Sequence, residues 1–254
     1  MTDGLTRDAY LGGRVQLFQP QRGYRAGVDP VLLAAAVPAK AGQSVLDLGC
    51  GVGAVSLCLH ARVPGLAITG VELQPAYADL ARRNAAENNA DMQVIEADLT
   101  ALPVGLRQIQ FTHVVANPPY FPGDGRRAAQ DAGRETARGE ETPLDTWIDV
   151  AARRLAPQGW LHMIQRADRL GDLIAAAHGR LGSLEVLPIT GRQGRAAHLV
   201  ILRARKGGRA PFRLHAPLVM HEGVSHPGDR EHYTSEINAI LRDGLPMNWP
   251  QAQS

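Results

Sequence analysis

Between residues 44 and 205 the chain alternates short apolar runs with helical patterns, and this alternation limits the fold more than any other feature. The strand-like runs fall at residues 44–48, 67–73, 92–95, 112–116, 160–164, 184–189 and 198–203. Helix-like stretches at 53–63, 75–88, 143–155 and 167–181 separate most of them. Such alternation builds a largely parallel sheet with helices on both faces. Pro75 and Pro143 stand where the first turn of a helix tolerates proline. Only Thr190-Gly191-Arg192-Gln193-Gly194-Arg195 joins the last two runs, which suits an antiparallel hairpin better than a crossover. The expected fold is therefore α/β, with seven core strands and one terminal antiparallel pairing.

Both ends look like extensions of this core. Gly12-Gly13 reads as a turn between two short strands. Residues 121–142 are rich in Gly, Pro, Ala and balanced charge; beyond about 15 residues, such a loop is functional or unstructured, and we read it as a substrate lid. After residue 206 only 235–241 has a helical pattern. The chain is read as one domain, 1–254, with an N-terminal segment (1–40), a core (41–205) and a C-terminal extension (206–254).

Composition narrows the partners. A hydrophobic content of 44% supports an ordinary core, and a net charge of +2 means that a nucleic-acid surface must come from local clustering. No apolar run is long enough for a transmembrane helix, and the opening residues lack the apolar centre of a signal peptide. Cys50 and Cys58 share one strand–helix segment and form no disulfide framework. A cytoplasmic protein is expected.

The first run leads into Asp47-Leu48-Gly49-Cys50-Gly51-Val52-Gly53 and then a helix. Glycines at alternate positions let the backbone turn sharply and approach a ligand closely. The acidic Glu72 ends the next run, 23 residues after Gly49, close to the roughly 20 typical of a carboxylate that grips ribose hydroxyls. Asp98 follows the third run in the same way. Asp47, just ahead of the glycines, would repel a pyrophosphate but suits an α-amino group or a sulfonium. This favours S-adenosylmethionine over a dinucleotide, with Glu72 for the ribose, Asp98 near the adenine, and Asp47 with the loop amides at the methionine end.

The motifs "VLDLGCGVG", "GVEL", "EADL" and "NPPY" resemble, in order, those of class I S-adenosylmethionine-dependent methyltransferases. The front piece "QPQRGYRAGVDPVLLAAA" and the tail "HPGDREHYTSE" are similar to the bacterial tRNA1(Val) adenine-N6 methyltransferase family. The resemblance implies a Rossmann-like sheet of order 3-2-1-4-5-7-6 with the last strand antiparallel, and an N-terminal segment that covers the cofactor. It makes Arg25, Asp29 and Pro30 pocket candidates, and extends the cofactor set to Asp47, Gly49, Cys50, Gly51, Gly53, Glu72, Leu73, Asp98, Leu99 and Asn117. Where many relatives read Gly-Thr-Asp, this chain has Gly27-Val28-Asp29, so one hydroxyl contact is missing.

In such a sheet the ligand crevice lies where the strand order reverses, between the first and fourth strands. Residues 47–53 should then face Asn117-Pro118-Pro119-Tyr120. Asn117 and Pro118 both precede prolines, which holds them extended. An exocyclic amine is a poor nucleophile, and two acceptors on its hydrogens hold it for attack; the Asn117 carboxamide oxygen and the Pro118 carbonyl suit that task. Tyr120 is expected to stack on the base and Phe121 to supply a second wall. The motif specifies a planar-nitrogen acceptor better than it specifies which one.

Seven Arg and Lys, with no acid, lie between Gly191 and Arg213, and Arg203 and Arg205 are the chosen candidates for phosphate contact. The histidines at 215, 221, 226 and 232 match no common zinc spacing, so no metal is expected. Methyl transfer from S-adenosylmethionine to the N6 of a tRNA anticodon-loop adenine is the leading expectation. Amino groups of rRNA or DNA, a protein glutamine, and a non-catalytic cofactor-binding RNA chaperone are the alternatives. Oligomeric state stays open.

Overall fold

A computed structural model describes residues 4–120, 142–223 and 232–249. The loop expected to act as a lid, with Phe121 and His226, lies outside them. The chain opens with a hairpin, β1 (Leu5–Tyr10) against β2 (Val15–Pro20), turned at the left-handed Gly12 and Gly13. Helix α1 (Asp29–Ala36) follows, with Pro30 in its first turn. Its residues from Pro30 to Ala36 are all buried. A helix buried all round has no polar face, so its sequence carries no helical periodicity.

The core then runs β3 (Ser44–Leu48), α2 (Ala54–Arg62), β4 (Ala67–Glu72), α3 (Pro75–Glu87), β5 (Met92–Glu96), α4 (Val104–Gln108) and β6 (Phe111–Ala116). It continues through α5 (Leu144–Arg154), β7 (Leu155–Arg166), α6 (Leu170–Ala177), β8 (Gly182–Thr190) and β9 (Ala197–Arg205). The sheet order is β8-β9-β7-β6-β3-β4-β5. Counted along the core, that is 3-2-1-4-5-7-6, and β9 pairs antiparallel with both neighbours. The helix expected at 167–181 is shorter, because His178 turns extended and Gly179 adopts a φ of 75°.

The C-terminal extension adds structure that the sequence pattern does not announce. Two-residue strands β10 (Arg213–Leu214) and β11 (Leu218–Val219) pair parallel with β8 and lengthen the sheet. Helix α7 (Ser235–Asp243) is capped by Thr234 and packs against the hairpin turn: a Cβ at Gly12 would stand 2.7 Å from the Arg242 carbonyl oxygen. Two hydrophobic clusters, drawing respectively on α1 with α2 and on α5 with α6, form the core.

Two carboxamides one helical turn apart hold the hairpin in place. Asn84 of α3 accepts the Phe18 N–H at 2.8 Å and donates to the Phe18 carbonyl at 3.1 Å. Asn88 repeats the exchange with Gln16, at 2.9 and 2.7 Å. Residues four apart share one helix face, so together they satisfy the edge of β2 much as another strand would.

Candidate active site

Leu48 at the end of β3 pairs with Ala116 at the end of β6, so the glycine turn and Asn117 emerge side by side at the carboxyl edge of the sheet. Gly49, Gly51 and Gly53 have φ of 63°, 55° and 87°, all in the left-handed region. Each has a different surrounding. Gly49 backs onto Trp147, where a Cβ would stand 2.5 Å from the ring; Gly53 caps α2; at Gly51 a Cβ would meet nothing within 4 Å. The open face at Gly51 is room for a ligand against bare backbone. Asn84 reaches here too, donating to the Val52 carbonyl at 2.9 Å and tying the turn to the hairpin.

Three carboxylates lie at or just past the carboxyl ends of β3, β4 and β5, in different states. Glu72 accepts the Gly51 N–H on Oε2 and the Gln74 N–H on Oε1, each at 2.9 Å. Asp47 is 1% exposed and receives the Ser56 hydroxyl at 2.7 Å. Burial pushes its pKa up to about 7 against the hydrogen bonds from Ser56. A carboxyl buried this way favours a cation arriving beside it. Asp98 is exposed; its Oδ1 takes the Thr100 N–H at 2.7 Å and caps a short 3-10 turn. Leu73 and Leu99, each beside one of these acids, are half-buried. The Cys50 thiol sits 2.7 Å from where a Gly70 Cβ would be, and burial, with Asp47 and Glu72 nearby, keeps it protonated.

Asn117 is half-buried, Pro118 buried and Pro119 exposed. The Asn117 Nδ2 donates to the Tyr24 hydroxyl at 3.4 Å. Tyr120 is half-buried against the core cluster of α1 rather than standing free. Its hydroxyl faces the Asp29 carboxylate, and burial together with that charge raises its pKa. Asp29 itself is raised by burial, opposed by Tyr120 and by the exposed His198 of β9. Asp29, a pocket candidate from the sequence, thus stands beside Tyr120. Tyr24, Asn84 and His198 join it without having been singled out. The Asn84/Asn88 pair on one helix face is a signal that sequence inspection could have used; Tyr24 and His198 carried none.

Three expected binding residues have partners within the fold. Arg25 donates to Thr6 at 2.7 Å, to the Pro20 carbonyl at 2.9 Å and to Asp8 at 2.7 Å, so its guanidinium fastens the hairpin. Arg203 pairs with Glu185 at 2.9 Å and lies 4.2 Å from the centre of the Trp249 ring. Glu185 also receives Trp249 at 2.9 Å and His215 at 2.8 Å. Burial works against its charge, but these three donors hold the carboxyl below its usual range. Arg205 pairs in register with Trp160, on the level of His113, and donates to the Gln158 carbonyl at 3.2 Å. That level is the end of the sheet away from Asn117. Among the described residues no group of three His, Cys, Asp or Glu could hold a metal ion, and no helix is long and apolar enough to cross a membrane.

Sheet order, glycine turn and acidic strand ends together define a nucleoside-cofactor crevice of the methyltransferase kind. The chain belongs to the methyltransferase small domain family, whose model matches residues 26–171. It is 32% identical to the tRNA1(Val) (adenine(37)-N6)-methyltransferase of Dickeya chrysanthemi (strain Ech1591), covering 86% of this chain and 87% of that one. The protein of the same name from Porphyromonas gingivalis (strain ATCC BAA-308 / W83) is 38% identical over 63% of this chain, which spans 66% of that relative. Among solved structures, a predicted O-methyltransferase, protein Atu636 from Agrobacterium tumefaciens, superposes with a TM-score of 0.69 at 30% identity, covering 85% of this chain and 96% of that one. Membership of this methyltransferase family indicates S-adenosylmethionine as the cofactor.

Proposed function

We propose that this chain methylates the exocyclic N6 of an adenine in the anticodon loop of a tRNA. One observation carries the reading: a carboxamide on a proline-stiffened strand end, Asn117, neighbours the glycine turn in register. Relatives of 30% identity and above that span most of the chain bear the name tRNA1(Val) (adenine(37)-N6)-methyltransferase, which favours adenine over the other planar nitrogens and tRNA over rRNA, DNA or a protein glutamine.

The residues fit the cofactor. Asp47 and the amides around the open face of Gly51 would hold its methionine end, Glu72 its ribose and Asp98 its adenine. Bound there, it supplies an activated methyl group on a sulfonium. Asn117 Oδ1 and the Pro118 carbonyl accept the two amine hydrogens and direct the nitrogen lone pair away from them. Alignment of this kind supplies much of the acceleration, with no strong base required. The Tyr120 ring and Asp29 form the wall toward α1.

Contact with RNA phosphate falls to the β8–β9 turn rather than to Arg203 and Arg205. Thr190 and Ala197 pair at the crevice end of the sheet, which puts the exposed Arg195 there, with His198 beside it on β9. The test is Asn117→Ala: cofactor binding is retained and transfer to tRNA is lost. Undiminished methylation by that variant would refute the role given to Asn117, and a parent protein without transfer would leave the non-catalytic chaperone.

A further inference from the structure

The Asn117 side chain has one accepting and one donating end, and its own geometry does not decide which faces the substrate. In this structure Nδ2 points to the Tyr24 hydroxyl at 3.4 Å, which leaves Oδ1 as the other end. Tyr24 lies between β2 and α1 and is held there independently of Asn117. The Tyr77 hydroxyl of α3 donates to the Tyr24 carbonyl at 3.4 Å. The preceding Gly23 has a φ of 101°, and a Cβ there would stand 3.2 Å from the same Tyr77 hydroxyl.

The Tyr24 residue is half-exposed, and its hydroxyl is the atom that receives Asn117 Nδ2. Burial, then Asp29 and more weakly Tyr10 and Asp47, push the phenol up to about 12. A phenol that keeps its proton near the Asp29 charge turns its O–H dipole toward it. Its lone pairs then face Asn117.

We propose that Tyr24 is a positioning residue for methyl transfer: by accepting Asn117 Nδ2 it turns Asn117 Oδ1 toward the acceptor amine. The inference rests on the amine-holding role given to Asn117 above. With the carboxamide reversed, Asn117 would present N–H groups to an amine that needs an acceptor. Binding would survive and transfer would slow. The N-terminal segment thus reaches the chemistry itself as well as covering the cofactor.

The variant Tyr24→Phe keeps the ring and removes only the hydroxyl. Losing one orienting hydrogen bond should lower kcat on tRNA roughly tenfold. The KM for tRNA and the Kd for S-adenosylmethionine should stay within about twofold, the signature of an interaction felt in the transition state. In an Asn117→Asp background, whose side chain keeps an accepting oxygen but has no Nδ2 to donate, the same change should cost nothing further, because its effect runs through the Asn117 N–H. A ring that merely supports the fold would be spared by Phe and would give no such coupling. A substrate-free readout accompanies the kinetics: the Asn117 side-chain amide resonances of nitrogen-labelled protein should shift in Tyr24→Phe. Unchanged resonances with unchanged kcat would overturn the proposal. If the parent protein methylates no tRNA, the tRNA reading fails, and the amide resonances alone decide whether Tyr24 orients Asn117.

Discussion

The Gly51 N–H donates to Glu72 Oε2 at 2.9 Å, joining the cofactor turn to the carboxylate at the end of the neighbouring strand. Glu72 therefore shapes the turn, besides the ribose-binding role proposed for it. The variant Glu72→Ala removes an acceptor for two backbone amides and is expected to weaken S-adenosylmethionine binding roughly tenfold to a hundredfold, since hydrogen bonds to a charged group contribute about 1.5–3 kcal/mol. Isothermal titration measures this. An unchanged Kd would remove Glu72 from the site.

Asp47 makes the unliganded protein pH-sensitive. Its pKa in the folded state is about 7, above the ordinary carboxylate value of 3.8. The folded chain therefore binds more protons than the unfolded chain between those values, and its stability falls as pH rises through that window. The slope is on the order of 1.4 kcal/mol per pH unit for one proton. Below the window this contribution is fully present, and above it the contribution is gone. Denaturant unfolding from pH 4 to 8 should show a slope that Asp47→Asn lacks. Because a cationic ligand favours the ionised form, cofactor affinity should rise across the same window.

Gly49 has no room for a side chain. Its φ of 63° and the Trp147 ring, 2.5 Å from where a Cβ would be, both oppose substitution. Gly49→Ala should lose about 2 kcal/mol or more from left-handed strain and overpacking. The midpoint of urea unfolding reads this out, and Gly51→Ala, with open space at the Cβ position, should lose less.

The two ends of the basic segment are expected to behave differently. Arg203→Ala breaks a half-buried pair with Glu185 and should cost roughly 1–3 kcal/mol of stability while leaving the salt dependence of tRNA binding alone. Arg195→Glu should leave the melting temperature in place, weaken tRNA binding and flatten its dependence on salt. The reverse pattern in filter binding across salt concentrations would return the RNA face to Arg203.

These contrasts mark how far the sequence could be read. The alternation from β3 to β9 was legible because its strands are short apolar runs and its longer helices repeat a helical period, whereas the five-residue α4 is too short to show one. Helix α1 was not, since a helix buried on every side loses its polar stripe. Strands β10 and β11 are two residues each, too short to leave a pattern. In the site, Asp47, Glu72 and Asn117 stand beside recognisable turns, and the strand register carried them together. The partners of Arg25 and Arg203 were hidden for one physical reason. Their carboxylate partners, Asp8 and Glu185, lie 17 and 18 residues away in the chain and meet them only through folding. Asp98 kept the capping bond that any exposed Asp before a short turn can make.

The most direct test is chemical. The protein is incubated with methyl-labelled S-adenosylmethionine and tRNA1(Val) transcripts, with the adenosine immediately 3′ of the anticodon present or replaced by guanosine. The digested nucleosides are then resolved by mass spectrometry. The expected result is N6-methyladenosine from the parent transcript and none from the replaced one. Label in any other nucleoside, or label that survives the replacement, would contradict methyl transfer to that adenine.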